Sequence, residues 1–264
     1  MLSRNHDIYC VLAHESKFLS VQGHRIEYQW IPGDPCIVFL HEGLGSLALW
    51  KDFPARVVQA TGCGALVYSR YGYGQSDPLT EPRAVSFMHD EALKTLPDLL
   101  DQLGIARPIL FGHSDGGSIA LIHAGGSGRP VRGVIAMAPH VFVEEFGIRS
   151  IEAAKRTYAT TGLRDKLARY HADPDSAFRG WNDIWLHPDF RAWNIEAYLP
   201  RIACPVLAIQ GEDDEYGTME QIDRIQCAIH QVEVLKLARC GHSPHRDQAE
   251  AVIERASRFI AALP

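Results

Sequence analysis

Gly112-His113-Ser114-Asp115-Gly116 stands between a strand-like run, Pro108-Ile109-Leu110-Phe111, and helix-compatible residues, Ser118-Ile119-Ala120-Leu121. This is the pattern of a nucleophile elbow, in which a serine occupies a strained strand-to-helix turn and presents a free hydroxyl. Glycines two positions to either side let the backbones pack closely enough to leave it exposed. A Gly-rich loop can produce the pentapeptide by chance. Its position after a strand and before a helix carries the argument, and it points to hydrolytic chemistry at Ser114.

The chain has 264 residues, 46% of them hydrophobic, enough for one large core domain carrying an insertion. A net charge of -6 and the absence of a basic block argue against nucleic acid or an anionic membrane as partner. A small-molecule substrate is expected, and a homodimer is compatible with the sequence. Met1 to Asp7 lacks the apolar stretch of a signal peptide, and nothing downstream approaches the roughly 18 apolar residues of a membrane span. The expectation is a soluble, cytoplasmic protein. Cys10, Cys36, Cys63, Cys204, Cys227 and Cys240 show no C-x-x-C spacing; Cys36 and Cys204 adjoin strand-like runs, where reduced thiols pack as small hydrophobes. His242-Ser243-Pro244-His245 sets two histidines three apart, but the proline spoils a helical ligand pair and no third ligand follows. Neither metal nor organic cofactor is expected.

Short apolar runs recur at Cys36 to Leu40, Ala65 to Ser69, Pro108 to Phe111, Gly133 to Ala138, Pro205 to Gln210 and Val232 to Leu237. Continuous hydrophobicity of this length predicts strands buried on both faces, and alternation with helices predicts parallel pairing. The fold class is therefore α/β, a doubly wound, mostly parallel sheet with helices on both faces. Helices are predicted over Leu49 to Ala60, Phe87 to Leu103 and Gln248 to Leu263, with Pro97 bending the second. Phe18 to Val21 and Arg25 to Ile31 predict an antiparallel edge hairpin. Between Pro139 and Pro200 the strand rhythm gives way to an aromatic-rich helical segment containing Phe142, Phe146, Tyr158, Tyr170, Phe178, Trp181, Trp185, Trp193 and Tyr198. The division expected is a core of residues 1–139 and 200–264 with a helical cap at 140–199, lying over the strand ends where open α/β sheets bind ligands. Most of these aromatics are expected in the cap's own core, and together they predict an apolar pocket roof. Leu44, Phe142, Trp181 and Trp185 are the candidate substrate contacts.

A serine nucleophile needs a base and a group to orient that base, which in this kind of sheet follow in the order serine, acid, histidine. Gly211-Glu212-Asp213-Asp214 follows one predicted strand and Gly241-His242-Ser243 follows the next. His242 is the base, and either aspartate could be the acid. Acyl transfer also needs backbone donors for the oxyanion. The Asp115 amide supplies one, and the loop His41-Glu42-Gly43-Leu44-Gly45-Ser46 the other.

Taken together these residues resemble the alpha/beta-hydrolase superfamily from about Gly23 to the carboxyl end. The resemblance includes Arg70-Tyr71-Gly72-Tyr73-Gly74-Gln75-Ser76-Asp77, which is similar to the family's R-G-x-G-x-S turn. It implies that Asp214 is the acid, with Asp213 as the fallback, and that Gly43 carries the oxyanion amide. Glu42 stands where the family usually has glycine, which leaves Gly43 and Leu44 both open, and Arg70 lies one position early.

The triad and the resemblance imply hydrolysis of an ester or thioester with an apolar or aromatic portion, through an acyl-enzyme. One alternative is hydrolysis of a carbon-carbon bond in a ring-cleavage product, for which a basic residue such as Arg70, Arg149 or Arg191 would have to reach the pocket. Another is a ligand-sensing protein without turnover. Haloalkane dehalogenation is disfavoured, because it needs a carboxylate where this elbow has Ser114.

Overall fold

The computed structural model describes residues 16–264; the readings of Met1 to Asp7 and of Cys10 lie outside the described residues. Eight strands form one sheet: β1 (Lys17–Val21), β2 (His24–Ile31), β3 (Cys36–Leu40), β4 (Gly64–Tyr68), β5 (Ile109–His113), β6 (Gly133–Met137), β7 (Val206–Gly211) and β8 (Val232–Leu237), in the order β1-β2-β4-β3-β5-β6-β7-β8. The β1–β2 hairpin joins β4 antiparallel, and β3 to β8 run parallel.

Alternation along each strand divides the core in two. Ile37, Phe39, Ala65, Val67, Ile109, Phe111, Ile135 and Met137 face the helices Phe53–Thr61 and Ala249–Ala261. Val38, Leu40, Leu66, Leu110, Val134 and Ala136 face the opposite layer, which includes the helices Asp115–Gly126 and Glu220–Ala228 and the helical stretch at 87–102. With both faces covered, β3 to β7 bury every residue, as parallel sheets do. β8 departs from the expectation of two buried faces. It is an edge strand in which only Leu237 is fully buried, and its charged Lys236 pairs with Asp223 at 2.8 Å. In the 87–102 stretch the turns widen over Glu91–Thr95, immediately before Pro97, which has no N–H for a regular helical bond.

Strand order fixes where a site can form. The chain leaves β3 for β4 on one side, then crosses to β5 on the other, opening a crevice at the carboxyl ends of β3 and β5. Between β6 and β7 the chain forms the helices Glu145–Thr160, Leu163–Leu167 and Pro174–Trp185. The last starts sharply because Asp173 accepts the Ser176 amide at 2.9 Å and Pro174 takes the first helical position. The short helix Glu196–Arg201 packs on Asp115–Gly126, with Tyr198 against Gly125 and Gly126. Among the described residues no helix is long and apolar enough to cross a membrane.

Candidate active site

Ser114 caps β5 with φ +53° and ψ -120°, a conformation that costs a non-glycine residue on the order of 1–3 kcal/mol. The surroundings hold it there. Its amide donates to Met137 O at 2.8 Å, and its carbonyl accepts the Ser118 amide at 3.0 Å. A Cβ at Gly112 would overlap the Gly116 carbonyl, and one at Gly116 would overlap the Leu40 carbonyl. Both glycines are therefore required by close backbone approach.

The structure brings Ser114, His242 and Asp214 into one chain of contacts. His242 Nε2 lies 2.9 Å from Ser114 Oγ, and His242 Nδ1 lies 2.9 Å from both Asp214 carboxylate oxygens. With Nδ1 protonated and donating to the carboxylate, Nε2 is left as the acceptor for the serine hydroxyl. Asp214 is buried and also accepts from Tyr216 N at 2.8 Å, Gly217 N at 3.2 Å and Gln210 Nε2 at 2.8 Å. Asp213 is exposed, its amide bound to Cys240 O. Geometry thus separates the two aspartates.

The loop bearing His242 is held at three points. Asp247 accepts the Gly241 amide at 2.9 Å, Glu215 accepts the His242 amide at 3.1 Å, and His113 Nε2 donates to the His242 carbonyl at 2.7 Å. Burial alone would push the His242 pKa down, but Asp214, Glu215 and Glu42 outweigh it and leave the imidazole above its ordinary value. Burial would likewise raise Asp214, yet His242 and the donated N–H groups hold it below the usual carboxylate range.

The amides of Gly43, Leu44 and Asp115 have no protein acceptor among the described residues. Both members of the Gly43 and Leu44 alternative are therefore free to donate. The loop that carries them is a tight turn, Gly45 N to Glu42 O at 3.0 Å. Buried Arg70 fastens it, donating to His41 O at 3.1 Å and Glu42 O at 2.9 Å, with the Asp115 carboxylate 3.9 Å away. His171 accepts from Gly74 N at 3.0 Å on Nδ1, so its Nε2 donates to Leu44 O at 3.1 Å.

A cleft of about 120 Å³ opens over Ser114. Its walls are Gly43, Leu44, Ile151, Trp181, Trp185 and Tyr216, with Glu42, His113, His140, His242 and Ser243 around them. Leu44, Trp181 and Trp185 thus stand where expected. Trp181 lies directly against the Gly43 Cα, and the Trp185 indole donates to Asp115 Oδ1 at 3.2 Å. Phe142 does not line the cleft. Two residues beyond His140 the chain has turned to the helix Glu220–Ala228, where Val141 N donates to Gln221 and Arg224 lies 3.9 Å over the Phe142 ring. The aromatic segment as a whole is not a roof either: Phe146 is 45% exposed, and Phe190 and Trp193 pack in the main core.

None of the cleft residues is a lysine or arginine. Arg149 is exposed and Arg191 pairs with Glu145. Glu42 lies between His113, 3.4 Å away, and Arg246 at 3.2 Å. Burial opposes its ionisation, but these basic groups and His245 hold it well below the usual carboxylate range. Sequence reading missed Ile151, His140 and Tyr216. Only position could have flagged the last two, because His140 follows the end of β6 and Tyr216 follows Asp214. No group of three or more His, Cys, Asp or Glu among the described residues is arranged to hold a metal.

Residues 37–255 match the model of the Alpha/beta hydrolase family. The chain is 32% identical to an sn-1-specific diacylglycerol lipase of Mus musculus, covering 89% of this chain and 85% of that one. It is 26% identical to a 2-hydroxy-6-oxononadienedioate/2-hydroxy-6-oxononatrienedioate hydrolase of Cupriavidus pinatubonensis, covering 90% and 93%. An esterase from Exiguobacterium antarcticum shares the fold with a TM-score of 0.77 at 18% identity, covering 94% of this chain and 100% of that one. Matched from its third strand into its last helix, this chain belongs to the alpha/beta hydrolase family.

Proposed function

We propose that the chain hydrolyses small, uncharged carboxylic esters or thioesters through an acyl-enzyme. The observation that carries this reading is the continuous Asp214–His242–Ser114 contact at the floor of an apolar cleft without a lysine or arginine. Ser114 Oγ attacks the carbonyl carbon as His242 Nε2 takes its proton. The oxyanion is received by the Asp115 amide together with that of Gly43 or Leu44. His242 then protonates the leaving alkoxide or thiolate, and a water deprotonated by the same imidazole releases the acid and restores Ser114. Asp214 keeps the imidazole in the required tautomer and stabilises its charged form.

Cleavage of a carbon-carbon bond is the second reading, supported by the resemblance to the hydrolase of Cupriavidus pinatubonensis. The substrate in that protein's name is a dioate, with two carboxylates. Here the charged side chain lining the cleft is Glu42, no lysine or arginine lines it, and Arg70 Nη2 is engaged by the His41 and Glu42 carbonyls, so electrostatics favour a neutral substrate. The deciding experiment offers p-nitrophenyl esters from acetyl to decanoyl, and a coloured dienedioate, to wild type and Ser114→Ala. Ester turnover lost in the variant supports the proposal. Turnover of the dienedioate alone overturns it.

A further inference from the structure

His140 stands three residues beyond β6, at the carboxyl end of a central strand. Its backbone is fixed from both sides by Ser118, whose Oγ donates to His140 O at 2.6 Å and accepts from His140 N at 3.0 Å. This sets the ring in the cleft wall, edge-on to Trp185 with centroids 4.9 Å apart and 5.9 Å from the His242 ring. The residue is only 5% exposed, and among the described residues no protein group bonds either ring nitrogen. A neutral imidazole carries one donor and one acceptor, and neither nitrogen is among the unpartnered polar atoms sealed from solvent, so both keep accessible surface at a ring that lines the cleft.

Beside it Leu44, Ile151, Trp181 and Trp185 present largely apolar surface, and outside the triad the other polar side chains of the lining are Glu42, His113, Tyr216 and Ser243. The charged and titratable groups that face His140 are His242, His113, Asp214 and Glu144. Burial, reinforced by His242, brings its own pKa down to about 4, so it offers hydrogen bonds without charge through the neutral range. A carboxylate would meet no cation there. A hydroxyl or ketone would meet both a donor and an acceptor.

We propose that His140 is a specificity-determining residue that hydrogen-bonds an uncharged oxygen, hydroxyl or keto, carried within a few bonds of the scissile carbonyl. This rests on reading the cleft as an ester hydrolase site. It narrows the substrate class to hydroxy or oxo esters and gives the unpaired imidazole a function beyond packing against Trp185.

The test compares methyl butanoate, methyl 3-hydroxybutanoate, methyl 3-oxobutanoate and 2-hydroxyethyl butanoate in wild type, His140→Phe and His140→Gln. A second arm measures binding of the same esters to Ser114→Ala, with and without His140→Phe, by calorimetry. The expected result is that an oxygenated ester exceeds methyl butanoate by roughly 3- to 10-fold in kcat/KM and in affinity, the worth of one hydrogen bond. Phenylalanine, which keeps the ring, brings that ratio to unity, whereas glutamine retains part of it. Absence of a preference in wild type, or equal loss on all esters with the ratio intact, overturns the proposal. Failure of the ester reading looks different: wild type turns over none of the esters, while binding to Ser114→Ala still shows the His140-dependent preference.

Discussion

The Trp185 indole N–H, on the helix Pro174–Trp185, donates to the carboxylate of Asp115, the residue after the nucleophile. Asp115 is fully buried, and burial raises its pKa despite Arg70, Arg83 and Trp185. Its other oxygen has no hydrogen-bond partner. Trp185→Phe therefore leaves a buried acid short of its donor, at a cost of about 1–3 kcal/mol. Thermal melting should show Tm lowered by roughly 3–10 °C, with kcat reduced more than KM if the Asp115 amide receives the oxyanion as proposed. An unchanged Tm and kcat would show that the contact does not position the elbow.

Removal of the nucleophile or the base should dominate every other substitution. Ser114→Ala and His242→Ala are each expected to lower kcat/KM by at least ~10³-fold, and Asp214→Asn by ~10²- to 10⁴-fold, because asparagine would hold the wrong tautomer. Asp213→Asn, at an exposed side chain outside the contact chain, should stay within about 2-fold on the scale of ordinary surface substitutions. Steady-state kinetics on one soluble ester separates the two aspartates.

The pH profile has a definite sign. Only the neutral imidazole can take the serine proton, and the carboxylates around His242 hold its pKa above 6.5. The acid limb of kcat/KM should therefore have its midpoint above 6.5, with activity rising through it. Glu215→Gln removes one of those charges and should move the midpoint down. A limb centred below 6.5 in wild type would contradict the electrostatics of the site.

Cleft size sets the acyl chain. About 120 Å³ is less than the roughly 150 Å³ that accommodates benzene, so butanoyl or shorter esters should outrun decanoyl by an order of magnitude or more. Trp181→Ala removes a wall and should shift the optimum to longer chains. An optimum already at decanoyl in wild type would mean that the walls move apart on binding.

Much of this arrangement could be read before the structure. The apolar run places β3 at its observed bounds, because continuous burial leaves no room for polar residues in a central strand; the run over Val232–Leu237 also matches β8, although its Glu233 and Lys236 are exposed on an edge strand. The helix Glu220–Ala228 escaped notice because its apolar stripe is short, with Ile222 and Ile225 as its buried aliphatics. Ser114, Asp214 and His242 are legible because each follows a glycine by one to three residues after a strand. Phe142 and His140 show the limit. Composition favoured the phenylalanine, whereas orientation at the strand end, which no local pattern encodes, put the histidine in the cleft.

Buried histidines should also govern acid stability. His41 and His245 are held well below 6.5 and His140 near 4, chiefly by burial. Each binds its proton more readily unfolded, so the stability present above 6.5 is lost as pH falls towards the folded values. The slope is about 1.4 kcal/mol per pH unit for each histidine. Denaturant titrations from pH 7 to 5 should show this loss, and His245→Phe, in a site already lined by Trp50 and Phe53, should make it shallower. Stability flat across that range would overturn the assignment.

Ser114 and His242 meet across 128 positions of chain, and Arg246 reaches Glu42 across 204. Contacts of such separation close late, since the intervening loop must lose its entropy first. During refolding, helical content and strand pairing near β3 to β6 should return before any catalytic competence. Turnover then reports the moment when the carboxyl-terminal strand and helix dock.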